Sequence, residues 1–410
     1  MKKTQIKFRP PAPILFAVAL ASPAGHTLAS GFRLPDQDAF ATARGEAFAA
    51  TADNPSAIYY NPAGITQLSG QQLRAGVYGI KLNVSYENPQ GDRFNNDKDL
   101  HAVPQLFYTY SAEKLPLSFG LGIYSPYGLS SQWSEDSGFR TIATQGRLTY
   151  FTANPVVAWK INEEWSIAGG MTINYADTDL QRGLAAPIPG YGDYFQFKGN
   201  GVGLGFNAGL LWKPTSQLQF GINYRSATTV DFTGSTDLAA PDFSANPAAS
   251  AEFKFPQNIV FGVSWRPTSA WNIEFNLDWT DWNRLDTITI RQSPLPDANL
   301  VLNWESSFYY EFGITRYLGN GWSVSGGYIF NENSVPNSDY QPLVADENRH
   351  FMSVGFGYQG SHFGFDLAYQ FGYGPSRTVE GSTPSLIGQS ADGTYKFISN
   401  AILATIGWRF

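Results

Sequence analysis

Few side chains in this sequence are placed to do covalent chemistry. Past the leader the histidines are His101, His350 and His362, too widely spaced for a metal-ligand pattern, and the absence of cysteine removes both thiolate sites and disulfides. No Gly-x-Ser-x-Gly elbow marks an activated serine. Gly355-Phe-Gly-Tyr-Gln-Gly360 fits the dinucleotide pattern, but that pattern works where a strand turns into a helix, and here it runs into His362-Phe-Gly-Phe-Asp366, a second strand. What remains is charge set among apolar residues: Arg225 within 218–229, and Glu274 and Asp278 after Pro267. These suit a salt-bridged lining, and Arg225 also suits a substrate carboxylate. No catalytic residue, cofactor or metal site is expected.

The elements that carry these charges alternate with period two. Phe363, Phe365, Leu367, Tyr369, Phe371 and Tyr373 alternate with polar or small residues, and Trp271, Ile273, Phe275, Leu277 and Trp279 alternate with Asn272, Glu274, Asn276, Asp278 and Thr280. A soluble sheet with one wet face shows the same alternation. Length and loop pattern decide for a membrane: runs of roughly ten to twenty residues exceed ordinary strands and suit tilted crossings of a bilayer. Short connections near 112–116, 162–164, 214–216, 267–270, 319–321 and 359–361 alternate with long ones near 88–99, 129–144, 183–193, 234–249, 293–299, 332–348 and 375–393. Seven long loops and six short turns join fourteen strands, with both ends on the short-turn side. The fold class expected is all-β, a 14-stranded antiparallel transmembrane β-barrel. Trp265, Trp271, Trp279, Trp282, Trp322 and Trp408 near strand ends read as aromatic girdles.

Composition agrees. Aromatic residues make up 15% and charged residues 15%, with 41 glycines, whereas soluble domains carry about a quarter charged residues. Lys2, Lys3, Lys7 and Arg9 precede the apolar run 14–21, the layout of a secretory signal over residues 1–29, too short to span a bilayer. The net charge is −7 over the whole sequence and more negative without that leader, so nucleic acid is excluded as a partner.

Between leader and barrel, Asp53-Asn-Pro-Ser-Ala-Ile-Tyr-Tyr-Asn61-Pro62-Ala63-Gly64 holds two Asn-Pro pairs and fits neither a helix interior nor a central strand. The Ala-rich stretch before it reads as a short helix capped by Asp36 or Asp38. Eight strands enclose only side chains, while sixteen to eighteen leave a channel. Fourteen strands therefore leave a lumen that leaks if empty, and residues 30–70 suffice to fill it. They are expected to form an N-terminal, partly helical plug inside the lumen, with residues 71–410 as the barrel.

The Asn61-Pro62-Ala63-Gly64 turn, the start Ser30-Gly-Phe-Arg-Leu34, Trp279-Thr-Asp-Trp-Asn-Arg-Leu-Asp286, and Ser334-Val-Pro-Asn-Ser-Asp through Asp346-Glu-Asn-Arg-His350 together resemble the FadL family of outer-membrane channels for hydrophobic compounds. That resemblance implies transport by ligand-gated lateral diffusion through an opening in the wall, in the outer membrane of a Gram-negative bacterium. Long-chain fatty acids are the first expectation and aromatic hydrocarbons the alternative; a polar-solute porin and a barrel phospholipase are the rivals from other classes. It implies an interior pocket at Phe32 and Leu34, joined here by Arg225, and a gate at Asn61, Pro62, Ala63 and Gly64 lying against a kink in the third strand. The opening is expected beside Gly120, Gly122, Pro126 and Gly128, where proline and glycine weaken pairing. Capture loops would present Leu184, Ile188, Tyr191, Leu238 and Phe243. The expected partners are a hydrophobic small molecule, outer-membrane lipid and lipopolysaccharide, and the barrel insertion machinery that reads the terminal Phe410, with the chain acting as a monomer.

Overall fold

The computed structural model describes residues 31–97, 100–185 and 192–410; the leader, Ile188 and Tyr191 lie outside them. Fourteen strands close into an antiparallel barrel. They are β1 (Gln71–Glu87), β2 (Leu100–Ser111), β3 in two pieces (Leu117–Tyr124 and Gly128–Gln132), β4 (Gln145–Lys160), β5 (Trp165–Arg182) and β6 (Tyr194–Trp212). They continue as β7 (Leu218–Arg225 and Thr228–Ala240), β8 (Ala248–Phe255 and Asn258–Thr268), β9 (Trp271–Thr280) and β10 (Ser307–Gly319). The last are β11 (Trp322–Asn331), β12 (Arg349–Gln359), β13 (Phe363–Val379) and β14 (Gly393–Arg409). Each pairs with its sequence neighbours, and β14 returns to β1 over Gln72↔Arg409 to Glu87↔Thr394, so the sheet closes on itself. Closure of this kind is what a strand protein needs in hydrocarbon, where unpaired backbone costs several kcal/mol per group.

Alternation places the two faces as expected. Leu106, Tyr108 and Tyr110 on β2, and Met352, Val354 and Phe356 on β12, are exposed on the outer wall. On β9 the opposite phase, Asn272, Glu274, Asn276, Asp278 and Thr280, is buried throughout. One residue of the expected aromatic girdles departs from the pattern: Trp282 is fully buried inside, because Trp282–Arg284 forms a 3-10 turn above β9 that folds the indole inward.

The stretch 234–249 is not a loop. β7 runs on to Ala240, turns, and returns through Phe243–Ala245 to β8, with Leu238 paired to Ala245 and to Phe195 of β6. The ladder continues there, with 233–239 paired to 194–200 of β6 and 228–235 to 248–255 of β8. The 293–299 connection is likewise the tip of a hairpin built from Thr287–Arg291 and Ala298–Val301.

Residues 36–66 are nearly all buried and cross the lumen. Helix α1 (Ala39–Ala43) starts at Asp38, whose Oδ1 accepts from the backbone of Phe40 and Ala41 at 3.0 and 3.3 Å. Helix α2 (Ala57–Tyr60) leads into a 3-10 turn, Pro62–Gln67. Docking is polar and reaches the wall on many sides. Arg74 of β1 pairs with Asp38 and, at 2.7 Å, with Asp366 of β13. Ala39 donates to Thr405 of β14 at 3.0 Å, Arg44 to Asn272 of β9 at 2.8 Å, and Thr66 to Ser166 of β5 at 2.8 Å.

Candidate functional site

The break in β3 is the feature from which the site is built. Leu117–Tyr124 pairs with both β2 and β4, but Gly128–Gln132 pairs with β4 alone. Opposite it, Leu100–Gln105 of β2 pairs with β1 alone. The wall therefore has a window, closed below by Leu106↔Ile123 and above by the Asp97 N–H, which donates to the Gln132 carbonyl at 3.0 Å. It lies in the half of the barrel nearer the long loops.

The backbone freed at Ser125–Gly128 does not go unpaired. Residues at the start of the N-terminal segment act as its strand: the Leu34 N–H donates to the Pro126 carbonyl at 2.8 Å, the Gly128 N–H to the Phe32 carbonyl at 3.0 Å, and Arg33 bridges Tyr127. The Gln37 amide donates to the Ser125 carbonyl at 2.9 Å. Pro126 supplies no donor and Gly128 no side chain; a Cβ on Gly128 would lie 2.9 Å from Leu34 Cδ1.

Behind the window lies a cavity of about 320 Å³, within the range of small-molecule sites. Phe32, Leu34, Tyr127, Tyr150, Phe351 and Phe397 are among its walls, with Val103 and Pro104 at the window edge and Leu343 and Val344 from the loop before β12. Phe32 is the hub, its ring 5.1 Å from Trp282, 5.6 Å from Trp304, and 6.0 Å from both Tyr127 and Phe255. Arg33 is held at 2.6 Å by Asp278 and lies over the Tyr309 ring.

Between this cavity and the short-turn end the lumen is polar and filled. Glu274 accepts from the backbone of Ala50 and Thr51 at 2.7 and 3.0 Å, from the Thr51 hydroxyl, and from Arg44 at 3.5 Å. Asn276 donates to Glu311 at 2.9 Å. An apolar solute has nothing to gain from entering that network.

Phe32, Leu34, Pro126 and Gly128 thus come together at one place. The other expected site residues do not. Asn61, Pro62, Ala63 and Gly64 lie away from the break: Asn61 donates to Ala49 and to Leu210 of β6 at 2.8 and 3.0 Å, and Gly209 of β6 has no side chain because a Cβ would lie 2.4 Å from Asn61 Oδ1. The segment crosses the lumen between residues 34 and 61, which separates the two contacts. Gly120 and Gly122 sit in a continuous ladder and leave room for Ile58 of α2, so they do not form the opening.

Arg225 does not line the cavity. It is buried in a small polar void that Arg33, Pro35 and Tyr59 also line, donating to the Tyr124 hydroxyl at 2.6 Å and stacking on Tyr59 at 4.9 Å. Of the capture residues, Leu184 and Phe243 are exposed, while Leu238 is half-buried and packs against the interior aromatic cluster. Tyr127, Tyr150, Phe255, Trp282 and Trp304 are the site residues that sequence reasoning missed. Trp282 stands inside a quoted motif and Tyr127 follows Pro126, the two signals that pointed toward them.

A closed fourteen-strand barrel with a lipid-facing apolar band, an occupied lumen and a ligand-sized cavity is an outer-membrane barrel of the transport type. The chain belongs to the family of outer membrane transport proteins described as OMPP1/FadL/TodX, which it matches over residues 20–410. It is 24% identical to a putative outer membrane protein of Neisseria meningitidis, covering 87% of this chain and 88% of that one. It is 23% identical to the long-chain fatty acid transport protein of Escherichia coli K12, over 83% and 87%. Among solved structures, a FadL homologue of Pseudomonas aeruginosa superposes with a TM-score of 0.83 at 17% identity over 92% of this chain and 99% of that one. The Pseudomonas putida toluene transporter TodX does so with 0.74 at 15%, over 93% and 100%. These likenesses establish the fold.

Proposed function

We propose that the protein takes hydrophobic molecules from outside into the cavity at Phe32 and Leu34 and releases them sideways, through the window between β2 and β3, into the outer membrane. The observation that carries this reading is the contrast between the two ways out of the cavity. One leads past Val103 and Pro104 to the lipid-facing wall; the other leads into the buried polar network around Glu274 and Arg74. Release follows the apolar route, and residues 31–70 act as the plug that keeps the lumen from leaking. Leu184 and Phe243 offer an exposed apolar landing outside. The relatives' names divide between long-chain fatty acids and toluene, and both classes are hydrophobic. The cycle needs no covalent step, and a single chain surrounded by outer-membrane lipid suffices.

Deleting Ser30–Leu34 removes Phe32, Arg33 and Leu34, which mend β3 and line the cavity. Uptake of hydrophobic substrate by cells or proteoliposomes should be lost while the barrel keeps its heat-resistant gel mobility. Unchanged uptake in a folded barrel would overturn the assignment.

A further inference from the structure

We infer that the cavity selects uncharged hydrophobic molecules, such as hydrocarbons and long-chain alcohols, over carboxylates, an inference that rests on the cavity being the site of the transported ligand. Three arginines line it, and each is already engaged. Arg33 Nη2 lies 2.6 Å from Asp278 and its Nη1 donates to Thr280 at 2.9 Å, with both charged side chains buried. Arg349 lies 3.3 Å from Asp346, donates to the carbonyls of Val344 and Ala345 at 3.3 and 3.2 Å, and covers the Phe397 ring at 4.1 Å. Arg147 sits at the wet outer rim, 3.0 Å from Asp177.

Against these stands Asp36, which also lines the cavity, is buried, and has no ion-pair partner among the described residues; its Oδ1 accepts from the Gln370 amide at 3.0 Å. The two buried cations are thus paired, the third is paired at the exposed rim, and one acid is left over. A carboxylate entering this space gives up its hydration, has to displace an existing carboxylate from an arginine, and comes to rest near Asp36. Each of those steps is unfavourable. A hydroxyl gives up far less, and the Gln370 amide and the hydroxyls of Ser130 and Ser131 are within the lining to receive it. His101, on the β2 edge of the window, is the remaining basic side chain of the lining.

The test compares dodecanol with dodecanoate, which share a chain and differ in head-group charge, by equilibrium dialysis against the purified full-length protein at about pH 8, where the acid is ionised. A protein-free detergent arm corrects for partitioning. Dodecanol should bind at least about tenfold more tightly, and Asp278→Asn, which frees Arg33, should narrow that ratio by raising dodecanoate binding. That gain cannot arise from misfolding. Dodecanoate binding as tightly as dodecanol overturns the inference, and so does preferential dodecanoate binding that falls in Arg349→Met or His101→Asn. If neither ligand binds, the cavity reading itself fails and takes the inference with it.

Discussion

Glu274→Ala is the sharpest perturbation of the contact between the lumenal segment and the wall. The Glu274 carboxylate is fully buried on β9 and accepts from the Ala50 N–H, the Thr51 N–H, the Thr51 hydroxyl and Arg44. All four donors belong to the segment that crosses the lumen. Truncation leaves the Ala50 and Thr51 N–H groups without an acceptor, the Thr51 hydroxyl with Ser264 at 3.1 Å, and a buried guanidinium with Asn272 at 2.8 Å as its remaining polar partner. Removing one member of a buried charge pair costs about 3–5 kcal/mol. The barrel ladder is untouched, so this cost falls on docking of the segment. It is relieved when Arg44 and Thr51 leave the wall and reach water, which favours the undocked state by roughly two to three and a half powers of ten.

Planar-bilayer recording reads that shift directly. Wild-type protein should show low conductance, and Glu274→Ala frequent large openings, with heat-resistant gel mobility preserved in both. Glu274→Gln also removes the charge partner of Arg44 and turns an N–H toward Thr51 and Arg44, keeping only the oxygen that accepts from Ala50; that bond is worth about 0.5–1.5 kcal/mol, so its openings should be only somewhat rarer. A folded Glu274→Ala barrel as tight as wild type would refute the reasoning, because the segment would then be held without this anchor.

Two further outcomes are expected. Asn61→Ala removes the amide that ties Ala49 to Leu210 across the segment and wall; uptake should fall several-fold while assembly, read by heat-resistant mobility, changes little, and equal losses would make the turn a folding element instead of a gate. Glu347 lies in the loop before β12 with its carboxyl buried beside Arg349, Asp346 and Arg377; burial, reinforced by Asp346 and opposed by the two arginines, pushes it up to about 8. A carboxyl raised in the folded state contributes stability that is full at acid pH and lost as pH climbs from the usual carboxylate range to about 8. Hydrogen-exchange protection at 340–348, taken relative to the intrinsic amide rate at each pH, should therefore fall across that window in wild type and not in Glu347→Gln, while a flat wild-type protection profile would contradict the assignment.

The wall was legible because its two environments leave a local signature. On β9 the sequence alone separates Ile273, Phe275 and Leu277 from Asn272, Glu274, Asn276 and Asp278, and burial follows that division residue by residue. The turns at 112–116 and 319–321 were as plain, since each joins two alternating runs of the same period. The site was legible only in part. Phe32 with Leu34, and Pro126 with Gly128, came from resemblance and from backbone chemistry, and they meet. Arg225 misled because the phase of a strand says that a side chain points inward, not what it meets there; Tyr59 and Tyr124 had already claimed it. Gly120 and Gly122 misled for the converse reason. A glycine that weakens pairing and one that admits a neighbour's side chain look alike in sequence, and Ile58 is more than sixty residues away in the chain.

The same distance explains why the Asn61–Gly64 turn and the window are better understood as two ends of one element than as neighbours. Phe32 to Gln37 completes β3 at the window, and Asn61 to Thr66 ties the other end to β5 and β6 near the short turns. Between them, Arg44 and Thr51 are pinned on Glu274. A molecule entering the cavity touches the first end alone, at Phe32 and Leu34. Buried charge holds both parts of the segment: Arg33 is pinned on Asp278 at 2.6 Å beside the backbone bonds to Pro126 and Gly128, and Arg44 lies 3.5 Å from Glu274. Freeing residues 31–37 therefore means giving up a buried ion pair as well as two backbone bonds, so Asp278 anchors that end as Glu274 anchors residues 44–51.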